Sequence, residues 1–320
     1  MKNDRLQRVP NVLKELAHVL GTKVKNRRLE IPKEFGKGYC RGFVFNEHIR
    51  LFLFNYELYE NLVIKNPDTS SSSRMILFKF QNIFLKAGSL HAQKQVMALP
   101  SVLIATRSMN SDVVIPVHTH TETINIEVDA NYLKGLFDAS EKSPVLQSLL
   151  ENAQPLLFEQ LIYPSLQKIV DEIVSESVGE TFELFFLRVK AEELICRLLI
   201  ELERRDEKHL VDLNSQDVQT LYKVKEQMLA HLETPPVIKE LAVFASMSPS
   251  KLKRLFKQIF GDPIFSYYQE FRMKEAARLL MEEKLSVSQV GYHVGFTNLS
   301  HFSRVFNEHL GMKPKQYSRS

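Results

Sequence analysis

Ser300, His301, Ser303, Arg304 and Asn307 stand together on one side of a short apolar-periodic stretch near the C-terminus. The other side carries Phe302, Val305, Phe306 and Leu310, at the three- and four-residue spacing of a helix stripe. Small hydroxyl and amide groups donate and accept hydrogen bonds. An arginine fork can pair with both acceptors of a guanine edge. This polar face therefore suits the major groove of DNA. A second set lies about fifty residues upstream, where Ser250, Lys251, Lys253, Arg254 and Lys257 flank a stripe of Leu252, Leu255, Phe256 and Ile259. Its cations suit phosphate as well as bases.

Each face needs a helix and a partner to hold it. In the first set, Ile238 to Ala245 reads as a supporting helix and Ser246-Met247-Ser248 as the turn. Ser248 is an N-cap and Pro249 a first-turn proline for a helix over 249–260. In the second, Val287 to Val294 is the supporting helix. Gly295-Phe296 makes the break, and a helix runs over 298–310 from Asn298. Between them Gly261, Asp262 and Pro263 open a helix of about twenty residues to roughly Lys284, about 30 Å long. A rod of that length can set two helices into neighbouring major-groove faces, about 34 Å apart.

These residues carry a family resemblance. From about 220 to 320 the chain resembles the DNA-binding domain of the AraC/XylS family of bacterial transcription regulators. The first unit shows it in Leu241-Ala242, Met247-Ser248, Ser250, Leu255-Phe256-Lys257, Gly261, Pro263, Tyr268, Arg272, Ala276 and Leu279-Leu280. The second adds Val290, Gly295-Phe296, Phe302 to Phe306, Gly311, Pro314 and Tyr317. The resemblance implies base readout by Ser250, Lys253 and Arg254, then by Leu299, Ser300, Ser303 and Arg304. Lys251, Lys257 and Asn298 complete the expected DNA-binding set. Leu299 departs from the pattern and is expected to reach only a thymine methyl or a sugar edge. Gly291 stands where the family has an Ala-rich helix. It costs roughly 1 kcal/mol against Ala, which predicts a less rigid second unit.

The charge agrees with this division. Residues 216–320 hold 15 Lys+Arg against 10 Asp+Glu, a net of +5 in a chain of net +4, which leaves −1 for residues 1–215. Phosphate attraction needs the excess where it is. The 320 residues suggest two domains. Only Cys40 and Cys196 are present, which argues against a disulfide framework. The charged opening stretch lacks a signal-peptide core. No run of eighteen apolar residues occurs. A cytoplasmic protein without membrane contact is expected.

Upstream the period changes. Residues 1–21 read as an amphipathic helix starting near Pro10. Strands are expected over 29–31, 39–45, 49–58, 62–64, 74–84, 95–98, 102–109, 113–117 and 121–128. Short helices follow over 130–137 and 145–151, then long ones over 155–175 and 181–204. The fold class is thus α+β: a β-rich barrel or cupin-like sensor with flanking helices, then an all-α domain with two helix-turn-helix units. The expected boundaries are 1–130 for the sensor, 131–205 for a helical segment suited to dimerisation, 206–216 for a linker and 217–320 for DNA binding. The family resemblance implies a cupin-like barrel ahead of the DNA-binding part, with helices that pair two subunits. The stretch PLLFEQLIYPSLQKIVDEI also resembles siderophore-responsive members.

Phe52, Phe54, Tyr56, Phe78 and Phe80 are candidates to line an effector pocket, with Phe43 and Phe45 nearby. Arg74 is a candidate carboxylate partner, as are Arg41, Arg50 and Lys79, and the sequence does not choose among them. The effector expected is siderophore-like or lipophilic. His118-Thr119-His120 has the spacing of two ligands on one strand face. Glu122 and Glu127 fall at the wrong distances for a cupin metal site. No metal, cofactor or catalytic residue is therefore assigned. The expected partners are double-stranded promoter DNA, a small-molecule effector, a second copy of the chain and RNA polymerase. The alternatives are a metal-dependent cupin enzyme fused to a DNA-binding domain and a constitutive DNA-binding dimer.

Overall fold

The computed structural model describes residues 9–59, 62–64, 74–83, 99–106, 113–115, 120–137, 143–205, 210 and 213–319, with backbone alone for 62–64, 113–115 and His120. The chain divides into two compact units. One holds Met1–Phe84 and Pro100–Asp212, the other Leu85–Leu99 and Leu213–Ser320.

The first unit opens with α1 (Asn11–Val19), set off by Pro10 as its N-cap. The strands are β1 (Arg28–Glu30), β2 (Gly36–Val44), β3 (Ile49–Leu58), β4 (Leu62–Ile64), β5 (Met75–Gln81), β6 (Ser101–Thr106), β7 (Val113–Ile115) and β8 (His120–Asp129). Next come α2 (Ala130–Leu136), α3 (Pro144–Glu151), β9 (Leu157–Leu161), α4 (Pro164–Ser175) and α5 (Glu180–Glu203). Seven strands form one antiparallel sheet in the order β1-β2-β3-β8-β5-β6-β9, and β4 pairs with β7 separately. The α+β class holds. Among the described residues the large sheet is open, with β1 and β9 as its edges.

Strand parity decides which core each residue joins. Side chains directly opposite in an antiparallel pair share a face. Leu51, Leu53, Ile76, Phe78, Phe80, Ile124, Ile126 and Val128 pack beneath the helical layer with Leu194 and Leu198 of α5. Phe52, Tyr56, Leu58, Leu29 and Cys40 pack with α1 on the other face. Burial pushes the Cys40 thiol and the Tyr56 phenol well above their ordinary ranges.

One expected helix divides. Residues 155–175 form β9, paired with β6 from Ser101↔Leu161 to Ala105↔Leu157, and then α4, with Pro164 in its first turn. Proline has no N–H and clashes inside a helix, so Pro164 must start one. Leu157 and Leu161 are four apart, which fits both a helix stripe and one face of a strand. The expected strand over 95–98 and the first eight residues of the expected N-terminal helix lie outside the described residues.

The second unit is helical: α6 (Ser215–Leu229), α7 (Ile238–Phe244), α8 (Pro249–Phe260), α9 (Ile264–Met281), α10 (Val287–His293), α11 (Leu299–Leu310) and α12 (Pro314–Tyr317). The rod α9 has 18 residues, about 27 Å, and stops short of Lys284, which adopts φ 51°. Its buried side includes Tyr267, Tyr268, Phe271, Ala276, Leu279 and Leu280. α10 and α11 share the core of its C-terminal half.

Candidate nucleic-acid interface

Local chemistry sets both polar helices. The Ser248 side chain accepts from the Lys251 N–H (3.2 Å), Pro249 fills the first turn, and Gly261 ends α8 at φ 84°. α10 begins with a capping box. The Ser286 N–H donates to Gln289 Oε1 (3.0 Å), and the Gln289 N–H donates to Ser286 Oγ (3.3 Å). The Asn298 side chain accepts from the His301 N–H (3.0 Å) and so caps α11, and Gly311 ends it at φ 74°.

The break between α10 and α11 is tightly built. Gly295 sits at φ 79°, and a Cβ there would come within 2.4 Å of the Glu233 Cα and 2.8 Å of the Leu232 carbonyl. Tyr268 of α9 donates its hydroxyl to that same Leu232 carbonyl (2.7 Å). The buried guanidinium of Arg272 donates from Nε to the Val294 carbonyl (2.6 Å) and lies 4.2 Å from the Phe296 ring centre. Arg272 thus satisfies an end-of-helix carbonyl that the next helix cannot reach. Burial lowers its pKa.

The expected base-reading residues divide by exposure. On α8, Ser250, Lys253 and Arg254 are exposed while Leu252, Leu255 and Phe256 are buried. On α11, Ser300, His301, Arg304 and Asn307 are exposed, Ser303 is half-buried, and Phe302, Val305 and Phe306 are buried. Arg304 approaches Glu308 at 3.9 Å with both side chains largely in solvent, a pair worth little. Its fork stays available. Lys257 is half-buried.

Lys251 and Leu299 each also make a contact within the helical unit. The Lys251 ammonium is paired with Asp217 of α6 at 2.9 Å, so it ties α8 to α6 and its charge is already met. Sequence spacing hides this, because the partner lies 34 residues away. Leu299 is half-buried against α10. A Cβ on Gly291 would come within 2.7 Å of Leu299 Cδ2 and 3.2 Å of Phe302 Cδ1. Gly291 therefore permits close approach of the two helices.

The expected effector set does not converge. Phe52 pairs across from Asn125 and Phe54 from Thr123, whereas Phe78 and Phe80 pair with Ile126 and Ile124. Phe52, Phe54 and Tyr56 thus lie on one face, and Phe78 and Phe80 are fully buried on the other. Arg74 is exposed. Sequence reading named Lys79 among its cations but not the polar island around it on the Phe52 face. Lys79 stands opposite Asn125 and Leu103. Beside it Gln81 Nε2 donates to Ser101 Oγ (3.0 Å), and Thr123 is buried. Asn125 Oδ1 is buried without a hydrogen bond. Burial alone lowers the Lys79 pKa, and no carboxylate among the described residues pairs with its ammonium. His118 lies outside the described residues, as does the His120 side chain.

A family profile described as a helix-turn-helix domain matches residues 241–320. The transcriptional regulator GbdR of Pseudomonas aeruginosa is 32% identical over 108 residues, covering 34% of this chain and 29% of its own length. GlxA of Rhizobium meliloti, another transcriptional regulator, is 33% identical over 99 residues, 31% of each chain. The arabinose operon regulatory protein of Escherichia coli is 34% identical over 80 residues, 25% of this chain and 27% of its own. The match spans under a third of each of these three relatives. A solved AraC-type DNA-binding domain protein from Chromobacterium violaceum is 30% identical and covers 33% of this chain and 95% of its own, with a TM-score of 0.31. By profile, the C-terminal part of the chain carries a helix-turn-helix domain, and it is this part that is similar to these transcriptional regulators.

Proposed function

We propose that the whole chain is a ligand-responsive transcription regulator that binds promoter DNA as a dimer. One observation carries the DNA part: two capped helices on a shared rod each expose small polar groups and an arginine without a strong local ion pair. Arg254 and Arg304 serve base readout, with Ser250, Ser300 and Ser303 beside them. Lys253 and Lys257 serve phosphate, and RNA polymerase is the downstream partner. Binding-site selection from random duplex DNA with the full chain tests it. A single recurring motif is expected, and salt-dependent binding without a motif would count against sequence-specific regulation.

The sensor part rests on the polar island. Lys79 is half-buried, and a desolvated ammonium with no carboxylate beside it among the described residues is costly. An anionic ligand group would supply that charge, and Asn125 Oδ1 would accept a donor from the same ligand. Phe52 and Phe54 flank the site. The effector class is therefore a small carboxylate with an apolar or aromatic body. In Lys79→Met the chain should bind its operator as before and lose its response to such acids. An unchanged response would remove Lys79 from the sensor.

A further inference from the structure

A deep apolar groove opens in the first unit, on the sheet face away from Lys79. It holds about 710 Å³. Ile49 of β3 and Val128 of β8 form its floor, Leu133 and Leu136 of α2 one wall, and Leu199 and Ile200 of α5 the other. The floor residues belong to the core beneath the helical layer, whereas Leu136 and Ile200 are 55% and 49% exposed at the rim. Exposed apolar surface gathered around a concavity marks a binding surface. The α5 lining runs from Arg188 to Arg204, about 24 Å along the helix. Small-molecule sites hold about 300–1,000 Å³ and are mostly apolar, with a few polar groups that fix orientation.

We infer that this groove binds an uncharged, elongated lipophile carrying one hydrogen-bond donor. The site is distinct from the acid site at Lys79. Val128 stands three residues from Asn125 on β8, so it faces the other side of the sheet. Charge in the lining is balanced and already engaged. Arg188 is bound to Glu192 (3.0 Å), and Glu203 accepts from the Ser143 N–H (2.8 Å) and hydroxyl (3.2 Å). Arg204 pairs with Glu201 in solvent, its side chain 70% exposed, where a further charge gains little. An ionised ligand would lose its water without finding an unanswered partner, which selects a neutral one. The polar handle is the Tyr132 hydroxyl. It donates to Glu192 Oε1 (3.3 Å) and accepts from Arg188 Nη2 (3.3 Å), and its second lone pair can take one more donor. The Tyr132 ring is stacked on His48, with centroids 5.0 Å apart and planes at 11°, so the hydroxyl is positioned before a ligand arrives. Depth also selects the occupant. A slender molecule reaches Ile49 and Val128 between the two helices, whereas a flat protein surface touches only the rim.

Two dyes with the same aromatic body test this on the full chain. N-phenylnaphthylamine is neutral and has one N–H, and anilinonaphthalene sulfonate adds an anion. Cys196 lines the groove and is exposed, while Cys40 is buried, so maleimide labelling reports on Cys196. The neutral dye is expected to bind one per chain and to slow Cys196 labelling at least tenfold. The sulfonate at the same concentration is expected to leave the rate unchanged. Cys196→Trp fills the groove and is expected to weaken the neutral dye at least tenfold with an unchanged circular dichroism spectrum, whereas Cys196→Ser binds it as wild type does. Lys79→Met is also expected to bind it normally, so failure here and failure of the acid-sensor reading are separate results. Absence of saturable neutral-dye binding, binding without Cys196 protection, or equal protection by the sulfonate overturns the proposal. So does labelling that slows with protein concentration alone and ignores the dye, which would place a second copy over the groove.

Discussion

Arg304 and Lys253 differ in what they are free to do. Arg304 holds a planar fork on an exposed face with only a distant Glu308, so Arg304→Ala should lose about 1–3 kcal/mol of discrimination at one base position. Lys253→Ala should instead weaken binding to all sequences and lower the salt slope by about one unit, since each phosphate contact contributes about 0.9. Titrations of specific and scrambled duplexes at several salt concentrations separate the two. Lys251→Ala should leave that slope nearly unchanged, because Asp217 already holds its ammonium. Lys79 gives a pH signature. Its folded pKa is depressed, so between that value and the ordinary value of about 10.4 the unfolded chain binds more protons. Stability in that window rises with pH. Lys79→Met should therefore stabilise the ligand-free chain at neutral pH and lose the advantage near pH 10. Urea melts of both proteins at the two pH values check it. An equal difference at both would show that the ammonium is not the source. The sequence offered the residue types here but not their partners. Asp217 meets Lys251 only after α6 packs on α8, and Lys79 meets Asn125 only after β8 is placed beside β5.

Elements were most legible where local chemistry punctuates them. Ser248-Pro249, Ser286 with Gln289, Asn298, Gly261 and Gly311 mark helix ends that need no tertiary knowledge. β3 could be read from its dense alternation of Phe, Leu and Tyr. β9 was illegible because a four-residue repeat of leucine fits two periods, and only the open edge of β6 decides between them. The aromatic pocket was illegible for a related reason. Which residues of β3 and β5 share a face depends on β8 lying between them, a pairing made across some seventy residues of chain. At the turn between α10 and α11, Gly295 has backbone against it on the open side. Gly295→Ala combines a left-handed conformation with that overlap and should destabilise the helical unit by about 2 kcal/mol or more. Arg272→Met should act in the same direction, because it leaves the Val294 carbonyl unpaired. Chemical denaturation followed by helix signal measures both. Stability within about 0.5 kcal/mol of wild type would show that the turn tolerates what its geometry excludes.

At the scale of the molecule, the charge excess, the paired helix-turn-helix spacing and the family profile agree on the C-terminal part. The first unit joins its sheet and its helices into one compact unit. Among the described residues no helix is long and apolar enough to cross a membrane. The central claim is that both α8 and α11 read bases of one site. The measurement that tests it most directly is parallel binding-site selection with the full chain and with its Arg254→Ala and Arg304→Ala variants. The account predicts that each variant relaxes preference at its own position, and that the two positions lie about 10 bp apart, one turn of the duplex. Relaxation of the same position by both, or a uniform loss of affinity with the motif intact in either, would contradict it.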